Sequence, residues 1–367
     1  VCHGELVRLK PHPQYLTSFY LMVALGGALG GVFVGLAAPR LFTGYFELPL
    51  GMAACAMVVA FVLYRYPSKP YVGTQRWQAR LGVAGLGLVL CAYLFLEVFP
   101  ATRHSRLLAR NFYGALRVYD SDVEDPQRAR RTLSHGGITH GVQFLSPERR
   151  LWPTAYYGPK SGAGLALLEE PRPASQRAGL IGLGAGVLAS YGRPSDYYRF
   201  YEINPLVVEI AKTEFTFLKE CPANIDIVLG DGRLSLEREG SQQFDVLAVD
   251  AFSGDAIPAH LLTAQAFALY FRHLKEGGVL AVHTTNTYLD LPPIVKLSAE
   301  AVGKEALLVT NPGDPQKQIF PAAWVLVTGR RGFVEKAVAE GKGTLIQPRK
   351  GLRPWTDDYS NLFQILR

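Results

Sequence analysis

Three long apolar runs dominate the first hundred residues of the chain. Residues 19–38 and 48–64 carry no charge, and residues 81–96 form a third run that reaches residue 99 only by including Glu97. A helix that crosses a bilayer needs about 20 such residues, and uninterrupted runs lack the polar stripe of a globular helix. The pattern predicts an α-helical transmembrane part of about three spans over residues 1–105.

The first run also carries small residues at helical spacing. Closely spaced glycines let a second helix approach the backbone, so we expect other transmembrane helices as partners, in a homo-oligomer or a larger complex; the glycines are Gly26, Gly27, Gly30, Gly31 and Gly35. Arginine and lysine follow both the second and the third run, so the positive-inside rule does not fix the orientation. The chain begins at Val1 without a methionine, which suggests a longer precursor.

From about residue 111 the pattern becomes that of a water-soluble protein. Residues 112–118 and 131–143 are rich in β-formers with glycine punctuation, which predicts a small β-hairpin region within a β-rich subdomain over 106–170. Strand-like runs then alternate with helical segments through 171–367, which predicts a Rossmann-like, doubly wound parallel sheet. The expected strands are 180–183, 197–202, 225–229, 244–249, 279–283 and 324–327.

Ligands bind such sheets at the carboxyl ends of the strands, and the first two predicted strands end in suitable residues. The first is followed by a glycine turn, Gly182, Gly184 and Gly186, which allows a ligand close to the backbone at a helix N-terminus. Glu202 ends the second strand, 20 residues after Gly182. This is the spacing at which an acid accepts the ribose hydroxyls of a nucleoside.

Acids also end the next two predicted strands. Asp231 ends the third, where it is placed to accept from an adenine amine while Gly232 leaves room for the ring, and Asp250 ends the fourth, with Asp255 five residues later. Each acid taken alone is also what a turn or a helix cap uses. Acids at three successive strand ends after a glycine turn favour a nucleoside site.

The glycine pattern separates two classes of nucleoside ligand. A dinucleotide fold uses G-x-G-x-x-G, whose third glycine packs the helix against the strand. Here that position is Val187, and the pattern is G-x-G-x-G. It favours S-adenosylmethionine-type ligands, with NAD as the alternative.

At this point the sequence resembles a known family. From residue 111 onward it is similar to the spermidine synthases (polyamine aminopropyltransferases), and with its apolar N-terminal part it resembles the membrane-fused spermidine-synthase-like proteins. The motifs that carry the resemblance are HGGITHGVQ, AYYGPKSG, GLGAG, YEINP, GDGR, DAFSGDAIP and WTDDYSN. It implies a class I methyltransferase-type fold and the transfer of an aminopropyl group from decarboxylated S-adenosylmethionine to a polyamine or other small amine.

The resemblance also implies roles for individual residues. On the nucleoside side, Gln143 lies near the sulfonium or ribose, Glu202 binds the ribose and Asp231 the adenine. On the amine side, Asp250 binds the attacking amine and helps to take its proton, and Asp255 in the flexible loop that follows assists it. Either Tyr156 or Tyr157 is the tyrosine on the substrate side. Since a carboxylate can accept the proton that the amine loses, this chemistry requires no metal. The histidines lack ligand-like spacing and are expected to be ordinary polar residues.

Two departures from the family pattern leave the reaction open. Ala185 occupies the position in the glycine loop where soluble spermidine synthases carry an aspartate, and Ala-Phe-Ser-Gly separates Asp250 from Asp255 where the family has a shorter link. Three alternatives to a putrescine aminopropyltransferase therefore stay open. The enzyme could use a different amine, or it could be an S-adenosylmethionine-dependent methyltransferase. The third alternative is a noncatalytic polyamine- or nucleoside-binding domain that serves a membrane complex.

The charge distribution and the cysteine spacing indicate which binding partners and metal sites to expect. The net charge is +7, but the basic residues cluster beside the apolar runs, so anionic lipid headgroups are expected and nucleic acid is not. The four cysteines have no paired spacing that would indicate a disulfide framework or a zinc site. Because S-adenosylmethionine derivatives are made in the cytoplasm, we expect a multi-pass protein of the inner or plasma membrane whose soluble domain faces that side.

Overall fold

The computed structural model describes residues 10–65, 105–251 and 258–367, together with residues 4, 6, 7, 82, 85, 87–93 and 96. The chain forms two compact units, Val1–Arg117 and Val118–Arg367. The predicted three-part division at 105 and 170 stays a prediction.

One helical segment of the first unit is long and apolar enough to cross a membrane. It spans Pro13–Leu41, with a mean hydropathy of 2.1 and only 6% of its most apolar part buried. It consists of a 3-10 turn Pro13–Tyr15, α1 Leu16–Val32, a π-helical turn Phe33–Ala37 and α2 Ala38–Leu41. The first predicted run is therefore a helix of spanning length, a property that an N-terminal signal sequence shares.

The second and third apolar runs do not give a candidate membrane span among the described residues. The second forms α3, Glu47–Arg65, but its described apolar part, Glu47–Phe61, is shorter than a candidate span. The third, 81–96, is described only in part, at residues 82, 85, 87–93 and 96, which are helical. Among the described helices Pro13–Leu41 is thus the one candidate for crossing a bilayer, where about three spans were predicted.

A small four-stranded sheet, in which β3 and β4 pair antiparallel, lies where the sequence predicts a β-rich region. Its strands follow the order β1-β2-β3-β4, with β1 Leu107–Asn111, β2 Gly114–Ser121, β3 Arg130–His135 and β4 Ile138–Phe144. In the second unit Arg131 anchors this sheet, because its guanidinium binds both carboxylate oxygens of Asp120 at 2.8 and 2.9 Å and the carbonyl of Glu214 at 2.8 Å.

The described residues form a second, eight-stranded sheet in the order β12-β10-β11-β9-β8-β5-β6-β7. Its strands are β5 Arg177–Ile181, β6 Tyr197–Glu202, β7 Asn224–Leu229, β8 Phe244–Val249, β9 Leu274–His283, β10 Glu305–Asn311, β11 Ala322–Thr328 and β12 Thr344–Leu345. After β7 the chain returns to the other side of β5, so the switch in strand order falls between β5 and β8. A crevice for ligands opens at such a point.

The predicted doubly wound α/β fold is confirmed, but its sheet is mixed and not parallel throughout. Strands β5 to β9 pair in parallel, but β11 runs antiparallel to both β9 and β10. Strand β10 was not predicted at all. Apolar runs mark a buried strand without giving its direction, so the sequence pattern could not distinguish a returning hairpin from another crossover.

Helices cover the sheet and the C-terminal segment closes the core. The helices of the second unit are α4 Gly162–Leu167, α5 Pro205–Thr213, α6 Phe217–Glu220, α7 Gly232–Arg238, α8 Ala264–His273, α9 Pro292–Ala301 and α10 Arg331–Ala339. Trp355 and Ile365 are buried in the core that α8 and α9 share with the sheet. Asp357 accepts two hydrogen bonds from Arg233, at 2.7 and 2.6 Å, so the WTDDYSN motif fastens the C-terminal segment to α7.

Candidate functional site

The glycine turn after β5 is held against two other strand ends. Gly182, Gly184 and Gly186 have φ values of 102°, 54° and 84°, a region that favours glycine. A Cβ on Gly182 would lie 2.2 Å from the carbonyl oxygen of Asp250, and one on Gly184 would lie 2.4 Å from that of His140. The three glycines are therefore required by backbone conformation or close approach, and the turn brings its amides to the switch point.

Glu202 lies beside this turn at the end of β6. Its Oε2 accepts from the backbone N–H of Leu183 at 3.0 Å, and its Oε1 accepts from that of Asn204 at 2.9 Å. Burial raises the pKa of Glu202, although these backbone hydrogen bonds act in the opposite direction. The carboxylate is thus fixed in position next to the glycine turn.

Asp231 takes the helix-capping role that the sequence left open. Its Oδ1 accepts from the backbone N–H of Leu234 at 2.9 Å, which caps α7, and its Oδ2 lies 3.1 Å from Nε2 of His260. The hydrogen bond to His260 is the main cause that lowers the pKa of Asp231. A Cβ on Gly232 would lie 2.7 Å from the Ile181 side chain, so this glycine is needed for packing against β5.

Asp250, directly after β8, is held by two side chains from other elements. The hydroxyl of Tyr157 donates to its Oδ2 at 2.5 Å, and Nδ1 of His283 lies 2.6 Å from its Oδ1. Burial and the nearby carboxylate keep the pKa of Tyr157 well above its usual range, so the phenol remains a donor. Both oxygens of Asp250 are thus oriented before any substrate arrives.

His283 is a functional candidate that the sequence analysis treated as an ordinary polar residue. It ends β9, next to β8 in the sheet, and its ring stacks on Trp324 with centroids 4.5 Å apart and an angle of 13° between planes. Tyr156 packs against it at 5.2 Å. Its Nε2 lies 2.7 Å from the hydroxyl of Thr285. A histidine at a strand end carries no distinctive sequence signal, and only the strand order reveals its approach to Asp250.

These side chains surround a pocket that encloses about 110 Å³. The pocket brings together three of the predicted residues, Asp250, Tyr156 and Tyr157, with residues of β4 and of the segment after β9. Its described lining consists of Ile138, Thr139, His140, Tyr156, Tyr157, Asp250, His283, Thr285, Asn286 and Thr287. Glu202, the glycine turn and Asp231 are not part of this lining; they occupy the neighbouring strand ends.

His140 gives the pocket a neutral imidazole. Its Nε2 is buried and has no hydrogen-bond partner in the structure. Burial, assisted by the nearby His135 ring at 5.5 Å, lowers the pKa of His140 to about 4. The ring therefore stays uncharged at neutral pH while it faces the same pocket as Asp250.

Two predicted site residues, Gln143 and Asp255, are not among the described residues that line the pocket. The side chain of Gln143 is buried, donates to the carbonyl of Arg150 at 3.0 Å and to the hydroxyl of Thr216 at 2.9 Å, and accepts from the Thr216 amide at 3.1 Å. It joins β4 to the loop before α6, and its place near a sulfonium or ribose stays a prediction. Asp255 lies outside the described residues.

Part of the chain is similar in sequence to two named transferases. A polyamine aminopropyltransferase of Vibrio vulnificus is 34% identical over 126 residues, which are 33% of this chain and 41% of that protein. A probable polyamine aminopropyl transferase of Bifidobacterium longum is 26% identical over 155 residues, 42% of this chain and 33% of that protein. The chain therefore spans less than half the length of these relatives. No family model matches.

Among solved structures, a probable spermidine synthase from Corynebacterium glutamicum aligns with 68% of this chain and 95% of its own at 14% identity, with a TM-score of 0.48. The spermidine synthase of Thermotoga maritima aligns with 66% of this chain and 78% of its own at 16% identity, with a TM-score of 0.40. Over about a third of its length this chain is thus similar in sequence to a polyamine aminopropyltransferase.

Proposed function

We propose that this chain is a transferase that moves an aminopropyl group from decarboxylated S-adenosylmethionine to a polyamine or other small amine. The observation that carries the proposal is Asp250, which lines a pocket at the switch point with both carboxylate oxygens oriented by Tyr157 and His283. The sequence match to a polyamine aminopropyltransferase supports the same reaction.

The nucleoside of the donor fits the strand ends beside this pocket. Glu202 is fixed next to the glycine turn by backbone amides, among them those of Leu183 and Asn204, and its carboxylate is the acceptor proposed for the ribose hydroxyls. Gly182 and Gly184 let a ligand come close to the backbone of the turn. Asp231, one strand further, has an oxygen shared with His260 and is the residue proposed to accept from the adenine amine.

The amine end fits the pocket around Asp250. Displacement at a carbon next to a sulfonium needs a neutral amine held in line with the bond that breaks. The Asp250 carboxylate attracts the ammonium form of the amine, and the pocket residues around it provide the means of removing one proton. The rings of Tyr156 and Tyr157 form part of the wall that positions the alkyl chain.

A membrane location is part of the proposal. The helix Pro13–Leu41 supports one crossing, and further spans in the second and third apolar runs, with partner helices, are proposed from the sequence. S-adenosylmethionine-derived donors are cytoplasmic, so the second unit is proposed to face that side.

The noncatalytic alternative rests on Ala185. This residue is fully buried, and a Cβ on Gly141 would lie 2.4 Å from the Ala185 Cβ, so the position offers no room for an acidic side chain directed to a ligand. A domain that binds a nucleoside or polyamine without turnover would be compatible with that loss. An S-adenosylmethionine-dependent methyltransferase would be another use of the same strand ends.

One experiment separates these functions. The purified full chain in detergent is incubated with decarboxylated S-adenosylmethionine or S-adenosylmethionine and a panel of amines. We expect methylthioadenosine with the decarboxylated donor and an amine. Formation of S-adenosylhomocysteine from S-adenosylmethionine would support the methyltransferase, and binding of a nucleoside without any product would support the noncatalytic domain.

A further inference from the structure

The Asp250–His283 pair continues through a third residue to the surface of the pocket. His283 Nε2 lies 2.7 Å from the hydroxyl oxygen of Thr285, and Thr285 is itself part of the pocket lining. The structure therefore contains an unbroken hydrogen-bonded chain from the pocket through a hydroxyl and an imidazole to a carboxylate.

The direction of these hydrogen bonds follows from the groups themselves. An ionised carboxylate only accepts, so Nδ1 of His283 carries the hydrogen that Asp250 receives. In a neutral imidazole the other nitrogen is then an acceptor. Nε2 of His283 accepts from Thr285, and the imidazole is ready to take up a proton on that side.

The backbone of β11 fixes the Thr285 hydroxyl in this arrangement. The N–H of Ala323 donates to Thr285 Oγ1 at 2.9 Å and occupies one of its lone pairs. The Ala323 carbonyl is the alternative acceptor for the hydroxyl hydrogen, but at 3.4 Å it is farther away than His283 Nε2 at 2.7 Å. The second lone pair of Oγ1 remains for a donor in the pocket, such as the N–H of a substrate ammonium.

We propose that Thr285 and His283 form the route by which the attacking amine loses its proton, with Thr285 as a catalytic residue and His283 acting through it. This inference rests on the proposed function and deepens it, since Asp250 then orients and stabilises the relay instead of taking the proton alone. Tyr157 and His283 already donate to the two Asp250 oxygens at 2.5 and 2.6 Å, and the hydrogen bond from Thr285 to Nε2 of His283 gives the proton a path that does not end on the carboxylate.

The proton balance of the relay is simple. One N–H bond of the substrate ammonium breaks and a new O–H bond forms on Thr285, while the original hydroxyl proton moves to Nε2 of His283. The nitrogen keeps the electron pair of its broken bond and attacks the carbon, and the sulfonium leaves as a neutral thioether. The imidazolium rests beside the Asp250 carboxylate until it releases its proton to solvent.

The test compares Thr285→Val with Thr285→Ser over a range of pH, using decarboxylated S-adenosylmethionine and an amine that the wild-type chain turns over. Valine is similar in shape but has no hydroxyl, so kcat should fall about 100-fold near pH 7, the lower end of the usual effect of a lost general base. Serine keeps the hydroxyl and should recover kcat to within about fivefold of the wild type.

A pH signature distinguishes the relay from a structural role. An alkylamine has a pKa of about 10.4 and needs no base once it is neutral, so the ratio of wild-type to Thr285→Val kcat should shrink towards 1 near pH 10. Thr139→Val is the matched control, because Thr139 also lines the pocket but lies on β4, outside the relay. Any effect of that control should be the same at pH 7 and pH 10.

The possible results are distinguishable. A Thr285→Val defect that does not change with pH, or a Thr285→Ser variant as slow as the valine variant, would overturn the relay and leave the transferase intact. Absence of methylthioadenosine from the wild type with every amine would overturn both. If Thr285→Val does not fold, His283→Gln serves in its place, because the glutamine amide can donate to Asp250 but cannot take up a proton. The kcat defect of this variant should show the same recovery towards pH 10. A defect that stays constant with pH would refute the relay.

Discussion

Acid should destabilise this protein through His140 in particular. Burial lowers the pKa of this imidazole to about 4 from an ordinary 6.5, and its Nε2 has no partner that would favour the charged form. Between these two pKa values the unfolded chain binds a proton that the folded chain does not. The stability that depends on a neutral His140 is therefore full above pH 6.5 and is lost as the pH falls towards 4.

The magnitude follows from the two pKa values. The full difference of about 2.5 units corresponds to about 3.4 kcal/mol, of which about 2 kcal/mol is lost by pH 5 and about 3 kcal/mol by pH 4. For a unit of this size 1 kcal/mol moves Tm by about 2 to 4 °C. A decrease from pH 7.5 to pH 5 should thus lower Tm by about 4 to 8 °C through His140 alone.

The assay is a thermal melt of the full chain in one detergent at a series of pH values, for the wild type and His140→Gln. Glutamine stays neutral throughout, so the variant should lose about 4 to 8 °C less than the wild type between pH 7.5 and pH 5. His12, which is exposed, provides the control, and His12→Gln should follow the wild type. Parallel curves for the wild type and His140→Gln would show that the imidazole is not held neutral by the fold.

Three substitutions test the proposed site more directly. Asp250→Asn should leave nucleoside binding nearly intact by calorimetry and lower kcat by about two to four orders of magnitude; wild-type turnover with a lower Tm would reduce Asp250 to a structural residue. Glu202→Gln should weaken nucleoside binding by about 1.5 to 3 kcal/mol, the range for a hydrogen bond to a charged group, and an unchanged Kd would exclude the ribose role. Gly182→Ala places a Cβ 2.2 Å from the Asp250 carbonyl oxygen at a φ of 102°, so the variant should melt at a lower temperature and bind nucleoside more weakly; a melt and Kd like those of the wild type would show that the turn can shift.

The parallel half of the fold could be predicted from the sequence because its strands are apolar runs that end in polar residues. The run before Asp250 corresponds to β8 and the run that ends at Glu202 corresponds to β6, so both acids lie at strand ends as expected. The antiparallel strands β10 and β11 were harder to predict from the sequence. Strand β10 was missed and the direction of β11 was wrong, since pairing direction depends on which edge of the sheet is open when the chain returns.

The site was predictable where a residue type is tied to a strand end and unpredictable where contact depends on packing. Nothing in the sequence distinguishes Tyr156 from Tyr157, yet the structure gives the Asp250 hydrogen bond to Tyr157. Likewise Gln143 matches the family motif, while its side-chain amide hydrogen-bonds to Thr216 and to the carbonyl of Arg150. Such assignments depend on side-chain direction, which spacing alone does not determine.

The stack of His283 on Trp324 gives this site an optical signal of its own. The indole is fully buried, and its Nε1–H donates to the carbonyl of Tyr156 at 3.2 Å, so its ring is held face to face with the imidazole. A proton that arrives on His283 places a cation over that aromatic face and changes the emission of the indole beneath it. Trp324 fluorescence can therefore record the charge state of the pocket without any added dye. Its signal is isolated by replacing the other three tryptophans, Trp77, Trp152 and Trp355.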